Sequence, residues 1–209
     1  MNTNDPHTQP AAQPTGHDAE RAELLQLARD TIRAVVTIGQ LPDYHPTTPW
    51  FLEPAAVFVT LRGAASVYEP QGELRGCVGQ VEPTAPLYAA VQDAAAKAAT
   101  IDPRFYPVQA DEVDALNVEV SVLSPMRPIE RYEEIEIGRD GLLIVGERRR
   151  GLLLPEVPVE YGWGPREFVR QLCRKANLPD DAWPGHARLW AFTTESFTAP
   201  GRADSPNQF

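Results

Sequence analysis

Leu74 to Gly79 reads Leu-Arg-Gly-Cys-Val-Gly, a thiol bracketed by glycines with a guanidinium two residues before it. A cysteine beside a fixed positive charge releases its proton more readily, and the thiolate is both a nucleophile and a soft metal ligand. In a strand, alternation sends Arg75 and Cys77 to the same face, where sulfur and guanidinium can be neighbours. Gly76 and Gly79 have no β-carbon, so the backbone there is open to close approach by a ligand or by another stretch of chain. The same pattern also describes a small cysteine packed inside a strand, its glycines marking a bulge or a tightly packed helix, since free cysteine is among the most buried residue types. Two readings of Cys77 therefore stand, catalytic nucleophile or thiolate ligand on one side and packing residue on the other.

A second set of charges lies in Asp102-Pro103-Arg104-Phe105. Asp102 and Arg104 supply a carboxylate and a guanidinium for ligand binding, or a salt bridge that holds a helix exit. With Arg75, Gly76 and Gly79 they make the candidate substrate-binding set around Cys77. A cysteine nucleophile usually works with a base. The four histidines are His7 and His17 in or beside the N-terminal tail, His45 in a connector and His186 ahead of the last strand, read as a surface turn residue. No Cys or His pair has zinc-site spacing, and no calcium loop, phosphate loop, dinucleotide fingerprint or serine elbow is present, so no metal and no cofactor are expected.

Helices and strands must bring these residues together. Leu24, Leu25, Ala28, Ile32, Val35 and Val36 recur at helical spacing, so a helix is expected over 18–38, ended by Gly39. After a proline-punctuated connector, the stretch ending Val57-Phe58-Val59-Thr60-Leu61 and the Glu73 to Gly79 stretch form a hairpin around a Gly72 turn. The alanine-rich run to Thr100 is a helix with Leu87, Val91 and Ala95 inward. Pro103 stops it. Val118, Val120 and Val122 face the core from the next strand. A short strand is expected at Glu134 to Gly138, then a hairpin with a charged tip at Glu147 to Arg150. An amphipathic helix through Phe168, Leu172 and Ala176 follows, and a single last strand over 187–197. Hairpins dominate and βαβ regularity is missing. The fold class is α+β, with mostly antiparallel or mixed sheets flanked by helices.

The 209 residues carry a net charge of −10, which argues against a nucleic-acid surface because phosphate binding needs clustered Lys and Arg. No apolar run reaches bilayer-spanning length, and the N-terminus has no basic start and no apolar stretch, so no membrane association and no secretory signal are expected. Cys77 and Cys173 are read as free thiols in a reducing cytoplasm. Residues 1–17 are read as a disordered polar tail, 18–198 as one domain and 199–209 as a flexible tail.

The order of these pieces resembles the AMMECR-type domain family. The hallmark hexapeptide is matched by Leu74, Arg75, Gly76, Cys77 and Gly79, with Val78 where isoleucine is commoner. The turn after the alanine-rich helix is matched by Asp102, Pro103, Arg104 and Phe105. Leu154, Pro155, Val157, Trp163 and Phe168 match the later segment. The resemblance covers about residues 20–198. It implies a two-lobed α+β domain with a cleft near the hexapeptide. It also implies a bacterial or archaeal setting in which such proteins are encoded beside a Memo-like protein and a radical-SAM protein, which are the partners expected here. Asp140 stands where relatives carry histidine, Glu156 where glutamine is usual and Asn177 where glycine is usual. The missing histidine weakens a Cys–His dyad further. The resemblance names no reaction, and two functions are expected as alternatives: a binding or adaptor module of a cytoplasmic pathway, or an enzyme that uses Cys77 in the cleft on a small polar or anionic substrate.

Overall fold

A computed structural model describes residues 18–64, 66 and 68–201. The tail read over 1–17 and the stretch 202–209 lie outside the described residues. The described residues divide into two compact units, one over 18–122 with 196–201, the other over 123–195. The fold is α+β, with two four-stranded antiparallel sheets and six helices among the described residues.

In the first unit, helix α1 spans Asp18–Ile38. Its buried Leu24, Leu27, Ala28, Thr31 and Ile32 follow the three–four spacing of a single helical stripe. A short helix α2, Pro49–Leu52, interrupts the connector. Strand β1, Ala56–Arg62, and strand β2, Leu74–Gln80, form the expected hairpin, antiparallel with Thr60 opposite Cys77 and Leu61 opposite Gly76. Helix α3, Leu87–Thr100, buries Leu87, Val91 and Ala95 completely. Strand β3, Asn117–Leu123, buries the expected valines. The sheet order is β2-β1-β3-β8, so β2 is an edge strand. Val57, Val59 and Leu61 of β1, the valines of β3 and the inner faces of α1 and α3 form one core.

In the second unit the sheet order is β4-β7-β5-β6, with β4 at Arg127–Ile129, β5 at Gly141–Val145 and β6 at Arg150–Leu153. Helices α4, Glu156–Glu160, α5, Pro165–Lys175, and α6, Ala182–Gly185, complete it with β7, Arg188–Phe192. Phe168, Val169, Leu172 and Cys173 of α5 pack on Leu142, Ile144 and Leu189.

Two sequence expectations are corrected. Glu134 to Gly138 is no strand. The Glu136 N–H donates to the Asp140 carboxylate at 3.0 Å, the Asp140 N–H donates to the Glu136 carbonyl at 2.9 Å, and Gly138 at φ +86° closes the turn. A backbone donor held by a side chain is unavailable to a sheet ladder. The last strand is two strands, β7 in one sheet and β8, Thr194–Ala199, in the other. The break falls at Thr193, whose N–H donates to the Ser124 hydroxyl at 2.9 Å and whose carbonyl accepts the Ser124 N–H at 2.9 Å.

Helix α3 packs closely on β2 at Gly76. A β-carbon there would lie 2.3 Å from the Ala98 carbonyl oxygen of α3. Backbone cannot swing aside as a side-chain tip can, so Gly76→Ala must push α3 off β2. The expected outcome is a loss of about 1–3 kcal/mol in urea unfolding, and an unchanged midpoint would contradict this contact.

Candidate functional site

Cys77 sits on an edge strand, where every second residue points its N–H and C=O away from the sheet. Both of its backbone groups are taken by the turn after α3. The Cys77 N–H donates to Asp102 Oδ2 at 2.9 Å, and Arg104 Nη2 donates to the Cys77 carbonyl at 3.0 Å. Cys77 and Thr60 are therefore a non-hydrogen-bonded pair of the hairpin, the kind in which facing side chains come closest. The Thr60 hydroxyl donates to Cys77 Sγ at 3.3 Å.

The turn is built by its own sequence. Pro103 follows Asp102, the order that favours a turn. The Phe105 N–H donates to the Asp102 carbonyl at 3.1 Å, and the Arg104 N–H donates to Asp102 Oδ1 at 3.1 Å. Arg104 then folds back on the same carboxylate, Nε to Oδ1 at 2.9 Å and Nη2 to Oδ2 at 2.7 Å. The Asp102 side chain is only 3% exposed, whereas that of Arg104 is half-exposed. Hydrogen bonds from Arg104, with those from the Cys77 and Arg104 N–H groups, outweigh burial and hold the Asp102 carboxyl well below the usual carboxylate range.

Arg75 is anchored elsewhere. Its Nε and Nη2 grip both Glu112 oxygens at 3.0 Å each. Nη1 donates to the Tyr106 carbonyl at 2.6 Å and Nη2 to the Pro107 carbonyl at 3.2 Å. Arg75 lowers the Glu112 carboxyl from its ordinary value. The spaces that β-carbons would fill at Gly76 and Gly79 hold the Ala98 carbonyl and the Phe58 ring.

Three of the six residues singled out in the sequence, Cys77, Asp102 and Arg104, are thus in direct contact. Arg75 reaches the same loop from its other end, through the Tyr106 and Pro107 carbonyls. Gly76 and Gly79 admit the protein's own helix and aromatic ring. Thr60 and Glu112 were not singled out. Hairpin register could have given Thr60, while nothing local marks Glu112 as the partner of a residue 37 positions away. Among the described residues of this unit the histidine is His45, exposed and 3.7 Å from Asp43. No group of three or more potential ligands suited to a metal ion occurs among the described residues. Cys173, by contrast, is fully buried, and burial pushes its thiol up. In the second unit Asp140, 2% exposed, accepts hydrogen bonds from Arg127 and Arg139 and plays a structural part like that of Asp102.

Residues 25–197 match the family model described as AMMECR1. A protein of Thermococcus gammatolerans is 45% identical over 183 residues, 83% of this chain and 87% of the relative. One from Methanocaldococcus jannaschii is 49% identical over 135 residues, 61% of this chain and 67% of its own. The crystal structure of an uncharacterized protein from Pyrococcus horikoshii superposes with a TM-score of 0.77 at 42% identity, covering 84% of this chain and 89% of that one. No described helix is long and apolar enough to cross a membrane.

Because the folded-state Asp102 is depressed in pKa, its contribution is present above the unfolded value of about 3.9 and is lost as pH falls through the folded value. Asp102→Ala is expected to lower stability by about 2–3 kcal/mol near neutrality, less than the ~3–5 of a fully buried pair because Arg104 is half-exposed. The variant should also show a shallower acid limb below about pH 4. Denaturant unfolding of both proteins across pH checks both. Equal stability at pH 7 would remove Asp102 from the role given to it.

Proposed function

The chain belongs to the AMMECR1 family, and from that premise we propose that it is a binding or adaptor module of a cytoplasmic pathway, acting with a Memo-like protein and a radical-SAM protein. One observation carries this reading. The charged side chains around the hallmark strand, Arg75, Asp102 and Arg104, are engaged in anchoring backbone. An anionic substrate would need donors in that place, and the donors are already bound to carbonyls and to paired carboxylates. A binding module needs what such anchoring supplies, a surface whose conformation is fixed before the partner arrives.

The alternative is an enzyme in which Cys77 is the nucleophile. It is supported by the position of the thiol, partly exposed and 3.3 Å from the Thr60 hydroxyl on a backbone held from both sides. The histidine among the described residues of its unit, His45, is exposed and stands 3.7 Å from Asp43.

Mixing the purified chain with the Memo-like and radical-SAM proteins of the same organism, followed by size-exclusion chromatography, separates the readings. Co-elution is expected, with Cys77→Ser forming the same complex. Absence of co-elution, together with alkylation of Cys77 at a midpoint well below about 8.5, would transfer the function to the thiol. Cys173, which is buried, serves as the slow internal control.

A further inference from the structure

The Asp102 turn belongs to a closed loop. The Val108 N–H donates to the Ala99 carbonyl at 2.8 Å, so residues 100–107 leave the end of α3 and return to nearly the same point. Compact loops with adjacent ends are often functional. This one is held at four residues, at Asp102 and Arg104 by the Cys77 backbone and at Tyr106 and Pro107 by Arg75. Arg75 is itself fixed by Glu112, whose Oε2 accepts the Gln109 N–H at 2.6 Å.

Besides the half-exposed Arg104, the loop carries two large apolar side chains outward. Tyr106 is 90% exposed and Ile101 is 63% exposed. A tyrosine whose own carbonyl is fixed at 2.6 Å while its ring stands in water gains nothing for folding from that exposure. Rigid exposed aromatics beside a guanidinium have the composition of an interface centre. The order needed for binding is already present, so little further entropy is lost when a partner arrives.

Charge selects the partner. Residues 14–122 hold fifteen acidic and seven basic side chains, a balance of −8. The loop's Arg104 and the Arg75 of β2 that holds it from behind are paired to Asp102 and Glu112. The long-range field of the unit is therefore negative and favours a basic partner. It repels anionic lipid and nucleic acid and also repels a second copy of the same surface.

We infer that the 100–107 loop is a preformed docking element in which Tyr106, flanked by Ile101, enters an apolar recess on a partner protein ringed by Lys and Arg. This rests on the binding-module reading and gives it a surface. The face does not depend on which protein the partner is.

The test places a photo-crosslinking benzoylphenylalanine at position 106 of the full chain in its native cells, and the same residue at position 68 as control. Tyr68 is 93% exposed on another loop of the same unit. The expected result is a discrete crosslinked protein from position 106 and none from 68. That protein, purified, should bind the wild-type chain, and Tyr106→Ala should weaken binding at least about tenfold with an unchanged thermal midpoint. Raising the salt should weaken the wild-type complex, as opposite charges require. Crosslinks only to copies of this chain, or equal binding by Tyr106→Ala, would overturn the inference. Crosslinks from position 68 but not from 106 would overturn it while leaving the binding reading intact. Silence at both positions would overturn it too, and the binding reading then stands or falls on the chromatography of the named partners.

Discussion

One carboxylate, that of Asp102, holds the first unit's hallmark strand to the end of helix α3. It accepts the outward N–H of Cys77 while Arg104, paired to the same carboxylate, donates to the outward carbonyl. An edge strand left with such groups open is a template for unwanted pairing. Here two side chains take the place of a fifth strand over one residue. The consequences run in both directions along the chain. The exit of α3 is fixed, so Ala98 comes to rest on Gly76. Thr60 and Cys77 become the close, non-hydrogen-bonded pair of the hairpin, and the loop that follows is tied at its start.

The composition of the hexapeptide follows from these contacts. Gly76 faces α3 with no room for a β-carbon, and Gly79 faces the Phe58 ring. Arg75 turns along the other face to the Tyr106 and Pro107 carbonyls. Cys77, between the glycines, is the one residue of the three with a side chain, and that side chain meets a hydroxyl. The glycines admit the protein's own backbone and ring, so a hexapeptide that reads as an opening for a ligand is in large part a set of fitted internal contacts.

Much of this was legible in the residues. Helix α1 is written in the spacing of Leu24, Ala28 and Ile32, the β1–β2 hairpin in its alternation, and the inner face of α3 in its alanines. Asp102 and Arg104 could be singled out because proline, aspartate and arginine in that order define a turn with its own ion pair. What sequence could not supply was long-range. Glu112 looks like any surface acid until Arg75 reaches it. The Glu134 to Gly138 stretch alternates like a strand, yet the Asp140 carboxylate competes for its backbone donor and wins. The split between β7 and β8 has no apolar signature, because Ser124 and Thr193 make the break through hydrogen bonds of the kind that any exposed polar residue can offer.

The number of charges assigned to one small loop bears on why they are there. An ion pair taken out of water roughly breaks even against its desolvation, and an apolar plug would cover a strand edge as well. Stability alone therefore does not account for two guanidinium–carboxylate pairs and three backbone carbonyls tied to eight residues of loop. Directional bonds do what an apolar plug cannot, because they fix the path of the backbone between α3 and Val108. A fixed path matters only if something reads the loop's outer side. On the binding reading proposed above, that reader is a partner, and the hexapeptide is the internal half of the device. Arg75 and the Cys77 backbone hold the loop from behind, while Ile101 and Tyr106 face outward from it. The oddness of the cysteine strand and the exposure of a tyrosine thirty residues later are then two sides of one constraint.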